Sequence, residues 1–440
     1  MGVQPVLEGA QAQRAIAVAR EVAGRLRDPE AAERHGRRAR EELSAAVGRP
    51  LGYDPASAGN GATGLAVLCA QLDATFPGEA WDHAGREHLV RASASGAGDD
   101  AKRRMPLGLW TGAAGLAFAA CLLSRDGTRY ATMRARLENA VAVWSTDLAA
   151  HWSPRLPGLP VEAWDLVSGL TGTGALLLST RDGTERKEAA LLAVLEMLVA
   201  ASREDTAGVP GWHTPRRLVP PGADTGTGDR VVNCGVAHGA PGALALLAVA
   251  HRSGVAVDGL PEAIDRTARW LLAHAVDTPW GPEWPNWAGA PVTIDRPGRA
   301  GWCYGTPGVA RSLWLAGDSL DDAGLREAGR AALEAVLART DGELGLDSPT
   351  VCHGVAGLLL IAVRMAADTG DPGVRAAAQQ LAKRLVDAHD PEAAFGYRSI
   401  ERDRELDAPG LLAGVAGIPL ALLAAATDQP PVWDRLLLLS

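Results

Sequence analysis

Gly239-Ala240-Pro241-Gly242-Ala243-Leu244-Ala245-Leu246-Leu247-Ala248-Val249-Ala250 is a spaced glycine pair running into an apolar stretch, and it decides the fold because the chain repeats it. The same G-x-x-G signpost, each time opening an apolar segment, stands at Gly61 and Gly64, Gly112 and Gly115, Gly169 and Gly172, Gly305 and Gly308, Gly354 and Gly357, and Gly414 and Gly417. The first glycines are 51, 57, 70, 66, 49 and 60 residues apart. One or two copies of so loose a pattern would mean nothing, but seven at quasi-regular spacing identify a structural repeat. They also explain why 51 of 440 residues are glycine, about 12% where roughly 7% is ordinary.

Between the signposts, apolar residues recur at three- and four-residue intervals with charges between them, from Arg134 to Leu148, Glu188 to Val199, Glu262 to Val276, Ala323 to Leu337 and Val374 to Val386. This is the pattern of amphipathic helices. The segments after the glycines are apolar nearly all round, as buried helices are. Each repeat therefore reads as one inner and one outer helix. The first glycine is expected to permit a tight turn into the inner helix, and the second to let neighbouring backbone come close. Seven such hairpins close into a ring, an all-α, α/α toroid, because the inner helices are too apolar to line an open concave surface. The expected organisation is a single domain over residues 1–440, with residues 1–50 as a helical lead-in and the repeats spanning about 55–425.

Composition excludes several function classes. Lys and Arg number 43 against 52 Asp and Glu, a formal charge of -9, so the basic footprint of a general nucleic-acid binder is missing. No stretch of 18 uninterrupted apolar residues offers a membrane span, and the charged N-terminus, with Glu33-Arg34-His35-Gly36-Arg37-Arg38, suits an exposed amphipathic helix and not a signal peptide. Five cysteines without close spacing point to reduced thiols in a cytoplasmic setting. The Ala- and Arg-rich composition is of a bacterial kind.

If the repeats are equivalent, the two residues before each first glycine share one place at the entrance of an inner helix. That slot reads Gly59-Asn60, Trp110-Thr111, Val167-Ser168, Ala237-His238, Cys303-Tyr304, Cys352-His353 and Leu412-Ala413. Reactive side chains occupy it only in repeats four to six. Cys303 and Cys352 hold one register, His238 and His353 the next, and a ring would turn all four towards one mouth. Two thiols and an imidazole converging in space form a soft, zinc-type ligand set. Cys69 and Cys121, inside inner helices, read as core residues, and Cys234, out of register, as a packing residue. His35, His83, His88, His251, His274 and His389 are expected on solvated outer helices or loops.

Two long connections interrupt the rhythm. The first, about 205–230, carries Trp212, His213, Arg216 and Arg217. The second, about 277–299, carries Trp280, Trp284, Trp287, Asp295, Arg296 and Arg299. Loops this long are usually functional, and tryptophan argues against disorder. Both lead into slot-bearing helices, so they read either as a peptide groove or as simple lids over the ring.

Gly301-Trp302-Cys303-Tyr304-Gly305, Cys352-His353-Gly354 and Ala237-His238-Gly239 together resemble the signature blocks of the lanthipeptide cyclase (LanC) family, and Trp164-Asp165-Leu166 before Gly169 resembles another of its blocks. The resemblance spans all seven repeats and implies a seven-repeat toroid with one zinc ion. By that resemblance Cys303, Cys352 and His353 are the zinc ligands. His238 and Asp165 are the acid/base histidine and its partner carboxylate, Arg299 is the arginine near the reacting centre, and Trp302 and Tyr304 line the site. The implied substrate is a dehydrated precursor peptide, with a separate dehydratase supplying its dehydro residues. No extra domain beside the ring is expected.

Three protein ligands leave the fourth position on zinc open, the catalytic arrangement. A substrate cysteine held there as thiolate can add to dehydroalanine or dehydrobutyrine, with His238 as general acid and Arg299 on the enolate oxygen, giving a lanthionine or methyllanthionine ring. Two alternatives keep the same metal chemistry: addition of glutathione in place of a peptide thiol, and a prenyltransferase-type toroid, which prefers an Asp-Cys-His ligand set. A binding scaffold with a purely structural zinc is disfavoured by His238, a slot histidine not needed as a ligand.

Overall fold

In the computed structural model the described residues are 4–48, 51–94, 105–125, 127–153, 157–220, 223, 225, 228–289 and 292–440. Residues 1–3 and 49–50 of the lead-in, and parts of both long connections (221–222, 224, 226–227 and 290–291), lie outside them. Every signpost opens an inner helix: Ala62–Thr75, Ala113–Leu122, Leu170–Ser179, Ala240–Arg252, Thr306–Leu320, Val355–Thr369 and Gly417–Ala426. Six are followed by outer helices, Trp81–Ala94, Ala131–Trp152, Glu185–Ala201, Leu260–Ala273, Ala323–Leu337 and Pro372–Asp387. Val276, expected at the end of an outer helix, instead begins a short strand.

Two outer helices start on side-chain caps: Asp322 accepts from the Leu325 N–H, and Asp371 accepts from Gly373 and Val374 with Pro372 in the first turn. Six of the inner helices are capped by glycine and the seventh by Ala416, with no side-chain cap on any of them. Their first N–H groups are satisfied by the loop just before: Ala113 donates to Pro106 O (2.8 Å), Thr171 to Trp164 O (3.1 Å), Val355 to Ser348 O (3.1 Å) and Val415 to Ala408 O (2.9 Å). The chain can fold back so tightly only if no Cβ intervenes. A Cβ on Gly239 would lie 2.1 Å from Asn233 O, and one on Gly242 2.2 Å from Val236 O. Both glycines of the signpost thus make room for backbone. Positive φ is needed at one first glycine, Gly305 (φ 110°), whereas Gly61, Gly112, Gly169, Gly239 and Gly354 are at negative φ. Close approach, not the turn, is what demands glycine at those five.

The chain divides into two compact units. One comprises Met1–Pro106, Trp110–Leu137 and Leu346–Trp433, and the other Leu107–Leu109, Glu138–Gly345 and Asp434–Ser440. In the first, the slot residues of successive repeats are joined by backbone hydrogen bonds. Cys352 N donates to Leu412 O (2.8 Å), Leu412 N to Gly59 O (2.8 Å) and Gly59 N to Trp110 O (3.3 Å). The seventh signpost therefore lies beside the first. The missing seventh outer helix comes from the N-terminus, where Gly9–Arg25 packs along Gly417–Ala426 and the Val6 and Leu7 N–H groups both donate to Ala425 O at 2.9 Å. Part of the lead-in is thus the second half of the last hairpin.

In the second unit the same register joins Ala237 N to Cys303 O (3.4 Å), while the third repeat is offset by one residue, Leu166 N donating to Ala237 O (3.2 Å). The long connections pair here in a three-stranded antiparallel sheet: Thr214–Pro215 against Arg230–Asn233, and Arg230–Asn233 against Trp287–Ala288. Trp212 is buried and stacks on Trp164 (centroids 5.3 Å, 13°), the Trp284 N–H ends on Leu271 O (2.7 Å), and Trp287 packs with Val161 and Val231. These three rings anchor the connections and do not line a groove. Arg216, Arg217, Asp295 and Arg296 are exposed.

Candidate functional site

The third and fourth repeats assemble a carboxylate–imidazole pair. Asp165, 1% exposed, lies in the turn before the Leu170–Ser179 helix, and its Oδ1 accepts from the N–H groups of Ser168 (2.7 Å) and Gly169 (2.8 Å). That leaves Oδ2 to meet Nδ1 of His238 at 2.6 Å. The His238 ring occupies the fourth slot, with 36% of its side chain exposed. Burial alone would lower its pKa, but the hydrogen bond and charge of Asp165 outweigh that, with Cys303 adding to them, so the value is raised above the usual 6.5. With Nδ1 engaged, Nε2 is the nitrogen that can exchange a proton with a substrate.

Tyr304 follows in the fifth slot, half-buried, its ring 6.2 Å from that of His238. Its hydroxyl accepts a 2.8 Å hydrogen bond from Asn233 Nδ2, while Asn233 Oδ1 accepts from the Gly235 N–H at 2.9 Å. Asn233 is buried and carries no motif, so nothing in the sequence marked it. Trp302, expected to line the site, is 1% exposed and donates its indole N–H to Leu437 O (3.1 Å). Its ring is a packing element. Arg299 is exposed, and its side chain forms no hydrogen bond or ion pair with His238, Asp165 or Tyr304 among the described residues. The connection leading to it is pinned by Glu283, which is buried, pairs with buried Arg339 (2.7 Å) and accepts from Thr306 Oγ1 (2.8 Å) and Gly298 N (3.1 Å).

Cys303 stands in the slot before the Thr306–Leu320 helix of the second unit, and Cys352 and His353 in the slot before the Val355–Thr369 helix of the first. Two thiols with an imidazole are the donors zinc prefers. The donor set fits the metal. Cys69 and Cys234 are buried, and burial pushes both thiols up to about 12, which leaves them inert. His88 is a correction: it is fully buried, its Nε2 meets Leu26 O at 3.1 Å, and burial lowers its pKa to about 4. His251 sits on an inner helix and is half-buried.

Repeated helical hairpins with cysteines and histidines in their slots, and a buried aspartate paired with one of those histidines, define the class: an α/α helical-repeat protein with a His–Asp pair. Residues 52–438 match the family model described as lanthionine synthetase C-like protein, and the chain belongs to that family. Over 260 residues it is 23% identical to nisin biosynthesis protein NisC of Lactococcus lactis subsp. lactis, a match spanning 58% of this chain and 60% of that protein's length. The solved structure of a nisin cyclase superposes with a TM-score of 0.72 at 17% identity, covering 92% of this chain and 97% of that one. This likeness establishes the fold as an α/α toroid.

Proposed function

We propose that this protein is a zinc-dependent lanthipeptide cyclase, closing thioether rings in a dehydrated precursor peptide. The observation that carries the reading is the place of Cys303, Cys352 and His353 in equivalent slots, each just before the first glycine of an inner helix, in a chain of the lanthionine synthetase C-like family. Bound by these three residues, zinc would hold an incoming cysteine sulfur as its thiolate near neutral pH.

The chain's own residues handle the proton. As sulfur adds to the β-carbon of a dehydro residue, the π-electron pair moves onto the neighbouring carbonyl as an enolate, and the α-carbon then needs a proton. His238 supplies it from Nε2, because Asp165 occupies Nδ1 and favours the protonated ring. Arg299, exposed at the end of the second connection, offers a cation to the enolate oxygen. Tyr304, held by Asn233, flanks His238. A separate dehydratase supplies the dehydro residues, and thiol chemistry of this kind belongs in a reducing, cytoplasmic setting. No helix among the described residues is long and apolar enough to cross a membrane.

The test is a peptide carrying one dehydroalanine and one cysteine, incubated with the zinc-loaded protein. Cyclisation leaves the mass unchanged, so free thiols are counted by alkylation before and after. Loss of the thiol at constant mass is expected, and retention of the thiol at the uncatalysed level refutes the reading.

A further inference from the structure

The hairpin Ser399–Glu401 and Arg404–Leu406 belongs to no repeat and to no motif. Its two turn residues, Arg402 (φ 51°) and Asp403 (φ 61°), are both left-handed, as a tight two-residue turn of the I′ type requires. Asp is among the residues that adopt it, whereas Arg402 takes it against its preference. The turn places Glu401 at the last pairing before it, opposite Arg404. A second contact fixes where the hairpin goes. Ile400 N donates to Ser348 Oγ (3.2 Å), and buried Ser348 lies in the loop whose carbonyl caps the Val355–Thr369 helix just after Cys352 and His353.

The consequence is a carboxylate against the slot histidine. Glu401 Oε1, shielded from solvent, lies 2.9 Å from Nε2 of His353, an ion-pair distance at which the carboxylate oxygen makes no hydrogen bond. A carboxylate this close to Nε2 competes with a metal for that nitrogen, so the contact favours Nδ1, the nitrogen nearer the backbone, as the ligand. We infer that Glu401 is a positioning residue for the metal centre, holding His353 in the tautomer and orientation that present Nδ1 as a ligand. Outer carboxylates on metal-binding histidines act in this way, and losing one typically weakens metal binding 10- to 100-fold.

This inference rests on the reading of Cys303, Cys352 and His353 as a zinc site, and the test separates the two. Zinc affinity is measured by competition with a chromogenic chelator on the full chain, for the parent, Glu401→Ala, Glu401→Gln and Cys303→Ala, with a thermal melt of each. Glu401→Ala is expected to bind zinc 10- to 100-fold more weakly than the parent. Glu401→Gln, of the same shape and still an acceptor, should lose less, and it carries the test if the alanine variant fails to fold. Cobalt(II) gives a second readout: both Glu401 variants should keep the parent's thiolate–metal absorption bands but reach them at higher cobalt concentration. Equal zinc affinity in parent and both Glu401 variants, with binding lost in Cys303→Ala, overturns the positioning role alone. A cobalt spectrum altered in shape makes Glu401 a ligand and also overturns it. No zinc in either the parent or Cys303→Ala overturns the metal reading and this inference with it.

Discussion

His238 and His353 stand at the same register of two repeats, one residue before the first glycine, yet they are built for different work. In the fourth slot Ala237 precedes the histidine, a buried aspartate holds Nδ1, and 36% of the side chain stays open. In the sixth slot Cys352 precedes it, a hairpin glutamate meets Nε2, and 16% stays open. Occupying Nδ1 turns the outer nitrogen towards anything arriving at the slot, which suits proton transfer. A carboxylate at Nε2 favours the inner nitrogen as a ligand, which suits the proposed metal site. On that proposal the repeat supplies the position, and the ring nitrogen that the carboxylate approaches sets the chemistry.

If that division is right, the largest effect comes from the fourth slot. His238→Asn should lower cyclisation about 10²- to 10⁴-fold, or about 3–5 kcal/mol of barrier, while zinc per chain stays unchanged. Normal turnover in this variant would erase the distinction between the two histidines. Asp165→Asn sharpens it through pH. The acid works in its protonated form, so the rate should fall as pH rises through the raised pKa of His238. Without the aspartate charge that alkaline limb should move to lower pH, and a profile that did not move would remove Asp165 from the mechanism. The smallest effect is on stability. Asn233→Ala removes the hydrogen bonds that Asn233 makes to the Gly235 N–H and the Tyr304 hydroxyl, and a denaturant melt should register about 1–3 kcal/mol with zinc binding intact.

Much of this protein is legible without coordinates, because a repeat writes the same local constraint many times. All seven inner helices begin at their signposts, and the outer helix expected over Ala323 to Leu337 has those bounds. Within each unit slot residues of successive repeats are hydrogen-bonded neighbours, from Cys352 through Leu412 and Gly59 to Trp110 in one and from Ala237 to Cys303 in the other, as equivalence of the repeats requires. The connections are less legible. Their tryptophans announce that the loops are ordered, but the same rings would serve a groove or a core, and only packing made Trp212, Trp284 and Trp287 core.

By itself the sequence determined the helical hairpins, their number and the shared place of Cys303, Cys352, His353 and His238, since each follows from glycine spacing and apolar period within one repeat. Tertiary structure alone decided that Gly9–Arg25 completes the last hairpin, that Trp302 is buried, and that Asn233 holds Tyr304. It alone brought Asp165 to Nδ1 of one histidine and Glu401 to Nε2 of the other. Those contacts join residues 73 and 48 positions apart. They depend on where a turn or a strained hairpin delivers one carboxylate oxygen, to within a few tenths of an ångström, and no local pattern encodes such a distance.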